Sequence, residues 1–546
     1  MPTIRLSPFG GMRPAISSPL REARHADIAC NTKLLTGALK PLRAPLLVKQ
    51  GEYKSIAHFP KTQNGKLCGV KCLEECAWVF PDNTTVCSGF DTAVKFYHRS
   101  EGKRPERIRL DTCETFPLCI EPPQGILSIQ IMDAGNTDQP DIRIYTYTFV
   151  DQFGIESAPA LAGEAVTLGD DGSVRLTGFD TPPEGAACIR IYRTSSPFDT
   201  GEDNNVSNET TFQLVEEIPA EVFSGFYIDE FRLSEISLGT LDTMDHCCPP
   251  EFCEVVMTES GYFVGFADNR IWVSERHQPH TFPLDNMLEL PDVIVGLAAH
   301  RDTVLVGTVG KPYRVTIATQ QEGDVVESEA FPEHLPMVNP NTMVETPWGA
   351  MYASNIGLVG LFPSRNPVVL SRERITEDQW IEHIPCAAGW HRGRYYGFRK
   401  NGKSFAFDVA EGGESRLEIG DFYLIDFNAS YAMSVSDGSM YLINDDGVWD
   451  WENGTEFLEY RWLSKEFIIH PAGALNAANI IADGDLRLKL WCDGVKVCDG
   501  EVDLCKPYRL GKLPRGRRWQ LELCGTACVD ELILSSSIAE AAQVRN

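Results

Sequence analysis

From about residue 252 the chain repeats one unit of strand, turn, strand, turn, strand five times in phase. The central hairpins begin with Tyr262-Phe263-Val264-Gly265-Phe266 before Arg270-Ile271-Trp272-Val273, then Thr303-Val304-Leu305-Val306-Gly307 before Tyr313-Arg314-Val315. They continue with Ala350 to Ser354 before Leu358 to Leu361, Arg394 to Phe398 before Ser404 to Phe407, and Ser439 to Ile443 before Gly447 to Trp451. Successive units start roughly 40 to 48 residues apart, the span of one four-stranded propeller blade. A sixth unit is read upstream in Ser55 to His98. A Gly or Ala recurs in the second strand of most units, as expected where strands crowd towards an axis. Closing such sheets into a ring leaves only short, protected edges. The expected fold is therefore all-β, a six-bladed β-propeller.

Local signals agree. Asn64-Gly65, Asp171-Gly172, Asn401-Gly402, Asp437-Gly438, Asp446-Gly447, Asp483-Gly484 and Asp493-Gly494 are hairpin dipeptides, able to supply the positive φ that tight turns need. Between them lie short runs rich in Val, Ile, Tyr, Phe and Trp, suited to a pleated, half-buried surface. Helical periodicity is scarce; Ile375 to Trp380 predicts a single short turn.

The units are interrupted and followed by other β material. Residues 120–245 open after Pro122-Pro123 and hold short strands such as Ile142 to Val150, Val174 to Leu176, Cys188 to Arg193 and Thr211 to Val215. That pattern predicts an inserted β-sandwich of immunoglobulin or fibronectin type III kind, with the acidic loop 199–208 at one end. After Trp462 the blade rhythm stops. Leu486, Leu488 and Leu490 then alternate with Arg487 and Lys489, a half-buried strand. The expected division is 1–50, a basic docking arm; 51–119, the first blade; 120–245, the inserted sandwich; 246–462, the remaining blades; and 463–546, a C-terminal sandwich and tail.

Charge narrows function. The 546 residues carry a net −28, which opposes a sequence-reading nucleic-acid binder but permits a wall that DNA slides past. Residues 1–50 run against that trend, with eight Lys/Arg and two Asp/Glu. So does a strip of six cations, Lys506, Arg509, Lys512, Arg515, Arg517 and Arg518, with no acid between its ends. Both are read as docking surfaces for an acidic partner. No run approaches the ~18 apolar residues of a membrane helix. The opening residues also show no apolar stretch of the secretory kind.

Candidate chemistry is thin. Nucleophile-elbow, zinc-protease, P-loop and dinucleotide motifs are missing from the sequence. His277 and His280 flank Pro279 in a turn, and Asp445-Asp446 precede a hairpin Gly, where Asp serves turn geometry. Seventeen cysteines cannot all pair internally. Cys68, Cys72 and Cys76 fail zinc spacing, and His246-Cys247-Cys248 with Cys253 would strain a tetrahedral site. Buried thiols and late-forming disulfides both remain open for these clusters. The sequons at Asn83, Asn205, Asn208, Asn428 and Asn453 would matter only in a secretory pathway. No catalytic residue, cofactor or metal is expected, and the chain is read as a non-enzyme.

Several patterns lie in order along nearly the whole chain. They include Ala29-Cys30-Asn31 leading to Leu34 through Arg43, Phe149 through Pro159, Ile191-Tyr192-Arg193-Thr194, and Ile375 through Trp380. Tyr460 through Phe467, Arg518 through Leu523 and Leu532 through Ser537 complete the series. Together they resemble the tail nozzle (tubular tail) proteins of short-tailed bacteriophages. The resemblance implies a structural virion protein, made in the bacterial cytoplasm and assembled into the virion tail. It also implies a homohexameric ring forming the distal tail channel, through which DNA is retained and ejected without sequence-specific binding. Its implied partners are copies of itself, the head-to-tail adaptor and tail fibre or spike proteins. The cysteine richness departs from that family and is read as toughening of the virion outside the cell. The alternative is a propeller adhesin at the tail tip that binds a host receptor or glycan.

Overall fold

A computed structural model describes residues 2–34, 36–58, 72–73, 77–80, 84–88, 94–100, 104–109, 115–137, 140–194, 196–197, 211–236, 239–320, 323–411, 417–435, 438–502 and 506–542. The Asn64-Gly65 turn, Cys68, Cys76, Cys113, Asn83, Asp437 and the 199–208 loop lie outside them, and Cys72 and Cys87 are described in backbone only. Strands dominate throughout, and helix is confined to single turns. Among the described residues no helix is long and apolar enough to cross a membrane. The chain divides into two units: 1–85 with 290–317 and 327–546, and 86–289 with 318–326.

In the first unit the repeated hairpins pair antiparallel into four-stranded sheets. One runs Ile294–His300, Thr303–Thr308, Tyr313–Gln320, Gly323–Ala330; the next runs Val344–Thr346, Gly349–Ser354, Gly357–Phe362, Arg365–Val369. A third set is Ala387–His391, Arg394–Phe398, Ser404–Glu411, Leu417–Ile425. The first strands follow one another side by side, from Ile294–His300 through Val344–Thr346, Ala387–His391 and Tyr431–Ser434 to Ser55–His58. The predicted short turn is a helix, Glu377–Ile381, started by a Thr376/Gln379 capping box. It buries Trp380, whose indole N–H donates to the Ser354 carbonyl at 2.7 Å.

The small residues of the second strands have a local cause. A Cβ on Gly265 would lie 2.5 Å from the Phe252 ring, and one on Gly307 2.4 Å from Met337 Sδ. On Gly397 it would lie 2.3 Å from the Phe405 ring. Large side chains lying over these strands, not crowding at an axis alone, exclude a side chain there.

Residues 1–50, expected as a docking arm, are not a free arm but are woven into the sheets. Leu46–Gln50 adds the outer strand to Tyr431–Ser434, Met440–Asn444 and Gly447–Asp450. Thr3–Leu6 pairs Val529–Ser535, and Ala26–Cys30 pairs Tyr460–Ser464 while touching Leu417–Ile425 in parallel. The reason is apolar: Ile4, Leu6, Ala26, Ala29, Leu39 and Leu42 are buried in one core with residues of the blade-type sheets and of the C-terminal region. Two of the segment's cations are also already paired, Arg5 with Glu531 at 2.5 Å and Arg21 with Asp27.

Other boundaries shift as well. Tyr460–Ser464 belongs to the C-terminal sheets, where it pairs Gly516–Gly525. Through Ala26–Cys30 those strands run on from the Ala387–Ile425 sheet as one ten-stranded sheet. The chain's end is no loose tail up to residue 542. Its short helix, Ile538–Ala541, buries Ala541, and Asn479 donates to the Ala541 carbonyl at 3.0 Å. Residues 51–119 hold two sheets where one blade was expected. Ser55–His58, Cys72–Leu73 and Ala77–Phe80 form the first, and Thr84–Ser88, Val94–Ser100, Glu106–Arg109 and Thr115–Pro117 form the second. Seven strands are too many for one blade.

The second unit holds the latter sheet, a further four-stranded sheet (Glu254–Met257, Phe263–Ala267, Arg270–Val273, Met287–Glu289) and the insertion. The insertion's strands, Ser128–Asp133 to Phe226–Asp229, make three three-stranded sheets around one core of Tyr145, Tyr147, Phe149, Leu176, Ile189 and Ile191.

Candidate functional site

Four of the six cations, Lys506, Arg509, Lys512 and Arg515, lie between Val495–Glu501 and Gly516–Gly525, and Arg517 and Arg518 lie at the start of the latter strand. Tyr508, Leu510 and Leu513 turn inward and pack on the core, and Asn476 pins the loop by accepting from the backbone N–H groups of Leu510 and Leu513. That anchoring leaves Lys506, Arg509, Lys512, Arg515, Arg517 and Arg518 exposed. The Asp493 carboxylate, from the turn beside the strip, accepts the backbone N–H groups of Arg517 and Arg518 and so fixes their strand entry. Arg518 reaches Glu466 at 3.8 Å. Arg509, Lys512, Arg515 and Arg517 have no ion-pair partner among the described residues. Exposed cations contribute little to stability, so a row held on an anchored loop is suited to an acidic surface.

A second polar centre, unmarked in the sequence, is buried where the 387–411 strands meet the segment after Asp450. Glu452 sits there at φ +56°, with its side chain 1% exposed. Lys33 pairs with it, Tyr396 Oη donates to its Oε1 at 3.0 Å, and Arg392, His391 and Arg394 stand 3.6 to 3.9 Å away. Arg394 in turn donates to Asp408 at 2.6 Å and lies over the Tyr423 ring. Burial works to raise the Glu452 pKa, but Lys33, His391 and Arg394 outweigh it and hold the carboxyl below its usual range.

His391 behaves oppositely. Burial pushes its pKa down to about 4 despite the attraction of Glu452. The folded state thus resists a proton that the unfolded chain takes up near pH 6.5. This contribution to stability is complete above pH 6.5 and is lost as pH falls from there to about 4. Urea titrations across that window are expected to show a loss on the order of 3 kcal/mol, and His391→Gln is expected to remove most of the slope.

In the second unit a pocket of about 440 Å³ is lined by Phe116, Leu118, Ile120, Phe153 and Pro183, with Glu184 among its acids. Phe116 and Phe153 meet edge to face at 5.1 Å, and the buried Arg107 guanidinium lies 4.3 Å over Phe153 while pairing with Asp151. Beside it Cys119 and Cys248, 129 residues apart in sequence, form a disulfide. Since Cys248 is bonded, the His246/Cys247/Cys248/Cys253 set is not a ligand group, and no metal-holding cluster occurs among the described residues. His277 lies in a tight turn at φ +62°. The 444–447 turn is organised by Asn444, whose Oδ1 accepts from the backbone of Asp446 and Gly447 and from the Trp449 indole.

No protein-family model matches the chain, and no curated protein matches it. Similar solved structures include a streptogramin B lyase, at 10% identity over 59% of this chain and 97% of that one, with a TM-score of 0.25. Hsv2 of Kluyvelomyces marxianus is another, at 8% identity over 48% of this chain and 70% of that one, with a TM-score of 0.22. What its own strands establish is an all-β chain in which the repeated hairpins build four-stranded antiparallel sheets.

Proposed function

We propose that this chain is a non-catalytic structural subunit of the tail channel of a short-tailed bacteriophage, working as a homo-oligomeric ring, probed first as a hexamer. The observation that carries the reading is the lacing of residues 1–50 through distant sheets, ending in one ten-stranded sheet. Strands drawn from both ends of the chain resist peeling from either end, which suits a body under mechanical load. A net −28 per copy repels phosphate, so a lumen lined by part of that charge would let DNA pass without sticking. The exposed 506–518 strip would then meet an acidic face of the adaptor or fibre. The reading includes a six-bladed propeller, from the repeat spacing, and an immunoglobulin or fibronectin type III-like insertion.

Negative-stain electron microscopy of the purified protein, with antibody labelling of virions, tests this. Rings and label at the distal tail are expected; a monomer that never enters a tail would overturn it. The Phe116/Phe153 pocket favours a second reading, receptor binding. A glycan-array signal from the full chain that Phe153→Ala abolishes would establish that role.

A further inference from the structure

We infer that a cleft in the first unit, separate from the 506–518 strip, binds a carboxylate-bearing segment of a partner protein. The cleft holds about 570 Å³ and is lined by Lys33, Lys40, Arg43 and Arg392 against Glu452 and Asp483. Four cations facing two acids is a reversal in a chain of net −28.

The two acids are already engaged. Glu452 is held by Lys33 and by Arg392, and Asp483 accepts the backbone N–H of Cys528 at 2.7 Å. Lys33 and Lys40 stand directly opposite each other in the Thr32–Lys33/Lys40–Pro41 hairpin, a like-charge pairing that costs stability. Glu452 relieves only the Lys33 side. Lys40 and Arg43 have no carboxylate partner among the described residues. Arg43 instead lies 5.8 Å over the ring of Phe457, itself 48% exposed, so a guanidinium and an apolar ledge are presented together.

The walls are preorganised. Leu39 and Leu42 are fully buried, Leu39 exchanges two backbone hydrogen bonds with Val529, and Leu42 bonds to Asn31 and Leu458. Cations held on such a frame lose little freedom on binding. A duplex is the poorer occupant, because binding one takes a basic stripe along many phosphates, whereas these cations sit in one cleft of an acidic chain. Side chains of Glu or Asp beside an apolar residue match both the free cations and the Phe457 ledge.

The test is fluorescence anisotropy of full-length protein with a labelled oligoglutamate peptide carrying one leucine. Measured with the 506–518 strip silenced by Arg509→Glu with Arg515→Glu, salt-sensitive binding is expected to persist and to weaken about tenfold or more on adding Lys40→Glu with Arg43→Glu. Lys40→Gln with Arg43→Gln, checked for an unchanged melting transition, should weaken it as well. No binding by the wild type, binding indifferent to the Lys40 and Arg43 changes, or displacement by inorganic phosphate or a short DNA duplex at equal concentration would overturn the inference.

Discussion

Replacing Cys119 and Cys248 together by alanine is expected to lower the stability of the second unit by about 4 kcal/mol. The two cysteines are 129 residues apart in sequence, and the bond closes a loop that contains the whole insertion. Cross-linking so long a segment removes conformational freedom from the unfolded chain, and the effect grows slowly with loop length. The folded side is already in place, since Leu118 and Ile120 on either side of Cys119 are buried. Urea unfolding followed by protease sensitivity within 120–245 measures the change. Reductant should reproduce it in the wild type and do nothing to the double variant. An unmoved transition in both would mean that packing alone holds the insertion's two ends. In a reducing compartment this increment is withheld until oxidation.

Asp229→Ala is expected to cost about 3–5 kcal/mol. Asp229 is fully buried in the insertion, accepting from Arg193 Nη1 at 2.6 Å and from Tyr145 Oη at 2.7 Å, with Arg143 at 3.9 Å. Its other oxygen accepts the Phe231 backbone N–H. Removing the carboxylate strands the Arg193 guanidinium, two of whose nitrogens already lack partners, in a region without solvent. Arg143 is better protected, because it also donates to Asp141 at 2.8 Å and to the carbonyls of Gly169, Asp170 and Gly172. Replacing Arg193 by Met together with Asp229→Leu should recover much of the loss, since the charge and its counter-charge go together. Chemical denaturation of the single and double variants checks both; a single-variant loss below about 1 kcal/mol would assign the pair no stabilising role.

Legibility followed the range of the interaction. The hairpin from Tyr262 to Val273 and the alternation of Leu486, Leu488 and Leu490 depend on neighbours a few residues away, and period and turn chemistry display them directly. The cap at Thr376 is equally local. The cations of the 506–518 strip could be read because a run of like charge stays outside whatever the fold. The Glu452 centre and the Lys40/Arg43 cleft could not. Their members come from 33–43, 391–408, 452 and 483, and only the sheets bring those stretches together. A weak hint was present in the basic excess of residues 1–50, but it suggested a free arm because nothing local announces that Leu46–Gln50 will complete a sheet begun at Tyr431.

By itself, then, the amino-acid order determined that this is a β protein, where its hairpins turn, and which faces of its strands are greasy. Tertiary structure alone decided which strand lies beside which, that Cys119 meets Cys248, and that residues 1–50 close the body. The physical reason is that strand edges are chemically alike: every backbone offers the same N–H and C=O groups, so the choice among distant partners is made by the shared core they bury, a sum over the whole chain.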